Sequence, residues 1–144
     1  VTPLIEKYQM WISQSPDHLF WGNHKLLLKP SKSNFDNSRL GAGAVPFKID
    51  QGWLEIYHGV DHNNRYCLGA ILLDADEPWK IIKRTKEAIL SPQADYEKKG
   101  FFGNVTFTCG LINKGQEVDI YYGVADKSTA VARISLADIL DKLR

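Results

Sequence analysis

Three side chains in this sequence have types and settings suited to handling an anion and a polyol: Arg39, His58 and Asp126. His58 lies in the apolar, aromatic stretch Glu55-Ile56-Tyr57-His58-Gly59-Val60-Asp61, where an imidazole at a strand end can serve as a cation or hydrogen-bond donor to an anion. Arg39 precedes Gly41-Ala42-Gly43, and a guanidinium beside such small residues suits charge-assisted, bidentate bonding to phosphate. Asp126 closes a second stretch, Asp119-Ile120-Tyr121-Tyr122-Gly123-Val124-Ala125-Asp126, and its carboxylate can accept hydrogen bonds from ligand hydroxyls. Each has a plainer reading: a satisfied core histidine, a solvated loop arginine, a turn-capping aspartate before Lys127-Ser128. Aromatic residues near these strand ends (Trp21, Trp53, Tyr57, Tyr66, Phe107, Tyr122) can stack on sugar rings, although at strand spacing most should be core.

Other chemistries find no support. The glycine run lacks the spacing of a dinucleotide or P-loop motif, and no helix follows it. Asp74, Asp76 and Glu77 read as a solvated turn, and no nucleophile signature occurs. Cys67 and Cys109 fall in apolar runs without metal-ligand spacing, so both are expected to be buried free thiols in a reducing, cytoplasmic setting, with no metal. A net charge of +1 gives no reason to expect nucleic acid or an acidic membrane as partner. No run approaches the roughly 18 apolar residues of a membrane span. No signal peptide opens the chain, and its start at Val1 rather than Met leaves a processed or cut N-terminus open.

The elements that must position these residues read as β-strands. Lys7–Ser13, Lys25–Lys29, Ala44–Ile49, Trp53–Val60, Tyr66–Leu73, Trp79–Arg84, Val105–Ile112, Glu117–Val124 and Ala130–Ile134 are expected strands. Asp50-Gln51-Gly52 suits a tight hairpin, and residues 61–65 and 113–115 turn two more. Residues 31–38 read as loop, residues 85–100 as irregular, and Gly41–Ala44 as a stretch that lets another backbone or a ligand come close. Ser135 caps a short helix with Leu136, Ile139, Leu140 and Leu143 on one face. About nine strands with regular turns make the chain all-β. The two aromatic strands align His58 with Tyr122, 64 residues apart, and each is followed by another apolar strand. That repeat favours a propeller over a sandwich or barrel.

Taken in order, these elements resemble glycoside hydrolase family 130, the β-mannoside phosphorylases and their mannosidase relatives. The resemblance is carried by residues 40–46, by Gly52-Trp53-Leu54-Glu55-Ile56-Tyr57-His58-Gly59-Val60, and by the stretches at 66–74 and 78–84. It continues through Tyr96-Glu97, Gly103-Asn104-Val105-Thr106-Phe107-Thr108-Cys109-Gly110 and Tyr121-Tyr122-Gly123-Val124-Ala125-Asp126. It implies an all-β, partial five-bladed β-propeller of two to three blades with a short C-terminal helix, residues 1–144 forming a single domain. It further implies inverting phosphorolysis of a β-mannoside to α-mannose 1-phosphate, with inorganic phosphate as co-substrate and no other cofactor. By the same resemblance His58 falls on the phosphate-binding histidine, Arg39 on a basic phosphate-contacting position that is usually Lys, and Asp126 on the acid holding mannosyl hydroxyls. Tyr66 and Phe107 fall in the same pocket. Keeping both basic groups favours phosphorolysis over hydrolysis.

The resemblance covers only the C-terminal part of a full member. The family's proton-donor Asp and paired phosphate-binding Arg residues belong to N-terminal blades outside this sequence, and neither Asp17 nor Asp36 substitutes for the donor. The expectation is a fragment, inactive alone, that needs an N-terminal half, or a short protein that closes by pairing with its own copy. The alternative is a non-catalytic carbohydrate-binding or self-assembling half-propeller module.

Overall fold

The computed structural model describes residues 8–32 and 34–143. Lys7, in the first expected strand, and Ser33, in the expected loop, lie outside the described residues. Among the described residues ten strands form: β1 (Met10–Gln14), β2 (Gly22–Leu28), β3 (Arg39–Ala42), β4 (Phe47–Ile49), β5 (Gly52–Val60), β6 (Tyr66–Leu73), β7 (Ile81–Arg84), β8 (Thr106–Asn113), β9 (Glu117–Val124) and β10 (Ser128–Ser135). A helical turn, α1 (Asp95–Lys98), precedes β8, and α2 (Leu136–Lys142) follows β10.

The strands make three antiparallel sheets: β1–β2, the order β3-β5-β6-β7 with β4 also on β5, and the order β10-β9-β8. The middle sheet is covered on both faces, which is why β5 and β6 read as nearly continuous apolar runs rather than as clean alternation. Leu54, Ile56, Leu68, Ala70 and Leu72 face Val118, Ile120 and Ile139 of the three-stranded sheet and α2. Tyr57, Ile71 and Leu73 face Met10 and Leu28 of β1–β2 on the other side. Each buried Leu, Ile, Val or Met among them stabilises the fold by roughly 1.5–3 kcal/mol through burial. α2 starts as expected, with the Ser135 hydroxyl accepting from the Asp138 N–H at 3.4 Å.

Several expectations need correction. Arg39–Ala42 is a strand that was not expected, although the close approach of another backbone expected at Gly41–Ala44 is seen in its pairing with β5. At Gly43 a side chain would fall 2.3 Å from the Ile56 carbonyl oxygen, the chain bends at Ala44, and the next strand starts at Phe47 rather than Ala44. The expected strand at Trp79 begins only at Ile81, since Asp74 accepts the backbone N–H groups of Asp76 and Glu77 and holds a turn there. The stretch 85–100 contains α1, whose residue Glu97 accepts the N–H groups of Gln93 and Ala94. Cys67 is buried, with its thiol pushed up to about 11 by burial, but Cys109 is exposed. In β8 the period-two alternation turns Thr106 and Thr108 inward and Phe107 and Cys109 outward.

Candidate functional site

The five residues singled out by sequence come from five different elements that meet where the middle and three-stranded sheets join. The joint is made by the backbone: Tyr66 bridges to Val105, its N–H donates to the Asn104 carbonyl at 2.9 Å, and its own carbonyl accepts from the Thr106 hydroxyl at 2.9 Å. Across the middle sheet Arg39 pairs with Val60, and Val60 with Tyr66, so Arg39 and Tyr66 flank one strand. The Arg39 guanidinium lies over the Tyr66 ring at 5.3 Å, and its Nη2 donates to Tyr66 Oη at 2.9 Å and Asn64 Oδ1 at 3.2 Å.

His58 pairs with Gly41, and the bare glycine lets the imidazole lie over the backbone of β3. A Cβ at Gly41 would come within 2.7 Å of the ring. His58 Nδ1 is 3.2 Å from the Ala42 carbonyl, and the ring packs 4.5 Å from Phe107 and 6.3 Å from Tyr66. Burial holds its pKa below the usual histidine value; the Ala42 carbonyl opposes that shift and the Arg39 charge reinforces it. Tyr66 and Phe107 continue into a cavity of about 350 Å³ lined also by Phe102, Val105 and Asp126. Asp126 sits in the turn between β9 and β10, with Ala125 and Asp126 both in the left-handed region, at φ 49° and 51°.

Arg39, His58, Tyr66, Phe107 and Asp126 therefore share one locale. No carboxylate among the described residues lies within ion-pair distance of Arg39, so its remaining N–H donors face no fixed anion. Asn64, Phe102 and Val105 join the site without having been singled out. Asn64 takes the left-handed conformation, φ 58°, that orients its amide towards Arg39, and the Asn-Asn pair in the 61–65 turn was the available signal. Phe102 lies in the irregular stretch before Gly103, where no periodicity marks it.

The other sequence candidates go elsewhere. Tyr57 and Tyr122 are core residues whose hydroxyls donate to Asp36 (2.6 Å) and Glu97 (2.7 Å). Trp53 lines a second cleft and Trp21 an exposed hairpin end. Asp36 is fully buried and also takes an ion pair from Arg84, and Asp17 accepts the N–H groups of Leu19 and Phe20 at 2.9 Å, so neither is poised as a proton donor. No cluster of metal-ligating side chains occurs among the described residues.

The site thus sets a guanidinium and an imidazole beside an aromatic-walled cavity that ends on a carboxylate, on a mostly β protein with a short C-terminal helix. The family profile described as beta-1,4-mannooligosaccharide phosphorylase matches residues 5–144, and the chain belongs to glycoside hydrolase family 130. It is similar to a beta-1,2-mannobiose phosphorylase of Listeria innocua, with 47% identity over 139 residues, covering 96% of this chain and 39% of the relative. A 1,2-beta-oligomannan phosphorylase of a Thermoanaerobacter species is 44% identical over 130 residues, covering 90% of this chain and 44% of the relative. The solved structure of the Listeria innocua beta-1,2-mannobiose phosphorylase in complex with beta-1,2-mannobiose superposes with a TM-score of 0.89 and 48% identity, over 92% of this chain and 37% of that one. The chain thus spans less than half the length of these relatives.

Proposed function

We propose that this chain carries the phosphate-binding and part of the mannose-binding surface of a β-mannoside phosphorylase, as the C-terminal portion of a five-bladed propeller in which residues 1–144 fold as one domain. The reading rests above all on Arg39: a guanidinium fixed by Tyr66 and Asn64, with no carboxylate partner among the described residues, beside His58 at the mouth of the Tyr66–Phe107–Asp126 cavity. Arg39 and His58 hold inorganic phosphate so that one oxygen faces the anomeric carbon, and positioning is most of what an in-line attack requires. The bond between that phosphate oxygen and the anomeric carbon forms as the glycosidic bond breaks, giving α-mannose 1-phosphate with inversion. Asp126 accepts hydrogen bonds from mannosyl hydroxyls while Tyr66 and Phe107 offer apolar faces to the ring. The proton for the leaving oxygen comes from an Asp in the part of the enzyme that the relatives have beyond the matched region.

Phosphate titration followed by NMR tests the assignment. Shifts concentrated at Arg39, His58 and Tyr66, weakened at least tenfold by Arg39→Ala and little changed by Asp126→Asn, are expected. Shifts scattered over surface lysines, insensitive to Arg39→Ala, would remove phosphate from this site.

A further inference from the structure

The Arg39 guanidinium donates from one nitrogen to two acceptors. Nη2 reaches Tyr66 Oη at 2.9 Å and Asn64 Oδ1 at 3.2 Å, and an Nη nitrogen carries two hydrogens, so both are spent within the protein. A guanidinium grips an oxyanion bidentately along one of two edges, Nη1–Nη2 or Nε–Nη2, and Nη2 belongs to both. With Nη2 engaged, neither edge is whole. The two acceptors are neutral, so they aim the group without cancelling its charge as a carboxylate would. Both are also fixed from behind. The Tyr66 ring lies 6.3 Å from His58 and meets Phe102 edge-on at 6.2 Å. Asn64, left-handed at φ 58°, belongs to a turn closed by Asp61, whose Oδ1 accepts the N–H groups of Asn63 at 2.8 Å and Arg65 at 3.0 Å. The His62 N–H donates to Asn37 Oδ1 at 3.1 Å, and the Ser38 N–H to the Val60 carbonyl at 3.0 Å, so the turn is tied to the segment that leads into Arg39.

We propose that Asn64 is a positioning residue of this site, which together with Tyr66 locks Nη2 so that Arg39 meets phosphate as one directed donor, through Nη1, and not as a fork. The inference rests on the phosphate reading above. An arginine is ordinarily distinguished from a lysine by its fork, and here the fork is closed by the protein itself. A one-armed grip engages one phosphate oxygen and leaves the others to His58 and to the attack on the sugar, whereas a bidentate grip would take two of them.

Inorganic phosphate is titrated into the unsubstituted chain, Arg39→Lys, Asn64→Gly and the double variant. Glycine adopts the left-handed backbone of position 64 without strain, so Asn64→Gly removes the amide and keeps the turn. Lysine supplies one directed donor and no fork. Arg39→Lys should therefore weaken phosphate by less than about threefold while Asn64 is present, and by about tenfold or more once Asn64→Gly has freed Nη2. A tenfold loss for Arg39→Lys with Asn64 in place, or the same change in both backgrounds, overturns the inference. Nitrogen NMR of the Arg39 side chain supplies a readout that mere support of the fold by Asn64 would not move. In the phosphate-free chain the two Nη groups should be resolved, and in Asn64→Gly they should merge as rotation is freed. Added phosphate should shift Nη1 and leave Nη2 in place. Nη groups already averaged in the unsubstituted chain, or an Nη2 signal that moves with phosphate as far as Nη1, also overturn the inference. If phosphate shifts nothing at the site, the phosphate-free spectra decide: resolved Nη groups that merge in Asn64→Gly bear out the lock and strike only the proposed function.

Discussion

The Ala42 carbonyl can only accept a hydrogen bond, so the 3.2 Å contact with His58 Nδ1 places the proton on that nitrogen and leaves Nε2 with a lone pair in the neutral ring. A neutral His58 can thus take the proton of hydrogen phosphate, and a protonated one can donate to the dianion. Burial and the nearby Arg39 charge both favour the neutral form. Removing the guanidinium in Arg39→Ala should therefore raise the His58 pKa, and saturating phosphate should raise it too, both read from the ring protons by NMR. A His58 titration indifferent to both changes would mean that the two basic groups do not share an anion. Glu55 gives a second dependence on pH with the opposite chemistry. Its folded pKa of about 7 lies above the ordinary 4.5, so the acid is protonated in the folded chain over an interval where the unfolded chain has already ionised. Stability is then lost as pH rises from 4.5 to about 7, at about 1.4 kcal/mol per unit, or roughly 3 kcal/mol in all. Urea unfolding of the chain and of Glu55→Gln across this interval should show the loss in the first and not in the second.

The site's geometry is held by two loops whose anchors lie behind it. The loop leading into β3 is tied down by Asp36, which accepts from Ser31 Oγ at 2.7 Å and from Tyr57 Oη, and pairs with Arg84. Asp36→Ala leaves Arg84 half-buried without its anion and should cost about 3–5 kcal/mol, measured by denaturant unfolding. The loop before β8 packs on the turn that carries Asp126: Phe102 N–H donates to the Ala125 carbonyl at 3.2 Å, and a Cβ at Gly100 would fall 2.3 Å from that oxygen. Gly100→Ala should thus displace Asp126 and weaken mannoside binding in the completed enzyme, while phosphate binding by the chain stays near its original value. Equal losses of both would show that the substitution merely unfolds the joint. These dependences mark how far the sequence could be read. Strands β5, β6, β8 and β9 and the capped α2 were legible because hydrophobic pattern and turn chemistry agree there. β3 was not, because Gly-Ala-Gly contributes no periodic apolar face, and its strand character comes from pairing with β5. Arg39, His58 and Asp126 were singled out from their settings and the family resemblance, and the structure brings them to one locale. Phe102 and Asn64 escaped because their positions depend on contacts between segments far apart in sequence.

At the scale of the molecule, the three sheets differ in how completely they are covered. The middle sheet is packed on both faces, whereas the flanking sheets each turn apolar residues outward: Leu19, Phe20 and Trp21 at the end of the β1–β2 hairpin, and Ile112, Tyr121 and Val131 on the three-stranded sheet. β10 has β9 as its only strand partner among the described residues, so its other edge carries open backbone groups next to Val131, which is 54% exposed. Open edges with apolar side chains invite pairing with another chain. The chain alone should therefore associate, its weight-average mass in sedimentation rising with concentration. A charge on an edge strand opposes such pairing because continuation of the sheet would bury it. Val131→Lys should then reduce association through β10, and Leu19→Lys should reduce any contribution from the other hairpin. Leu19 lies in the loop joining β1 and β2 and Val131 on β10, with no shared partner, so the effects of the two changes should add. A chain that stays monomeric at every concentration tested would show that its outward apolar residues do not act as interfaces. Association relieved by Leu19→Lys but untouched by Val131→Lys would place the contact on the β1–β2 side and leave the β10 edge inert.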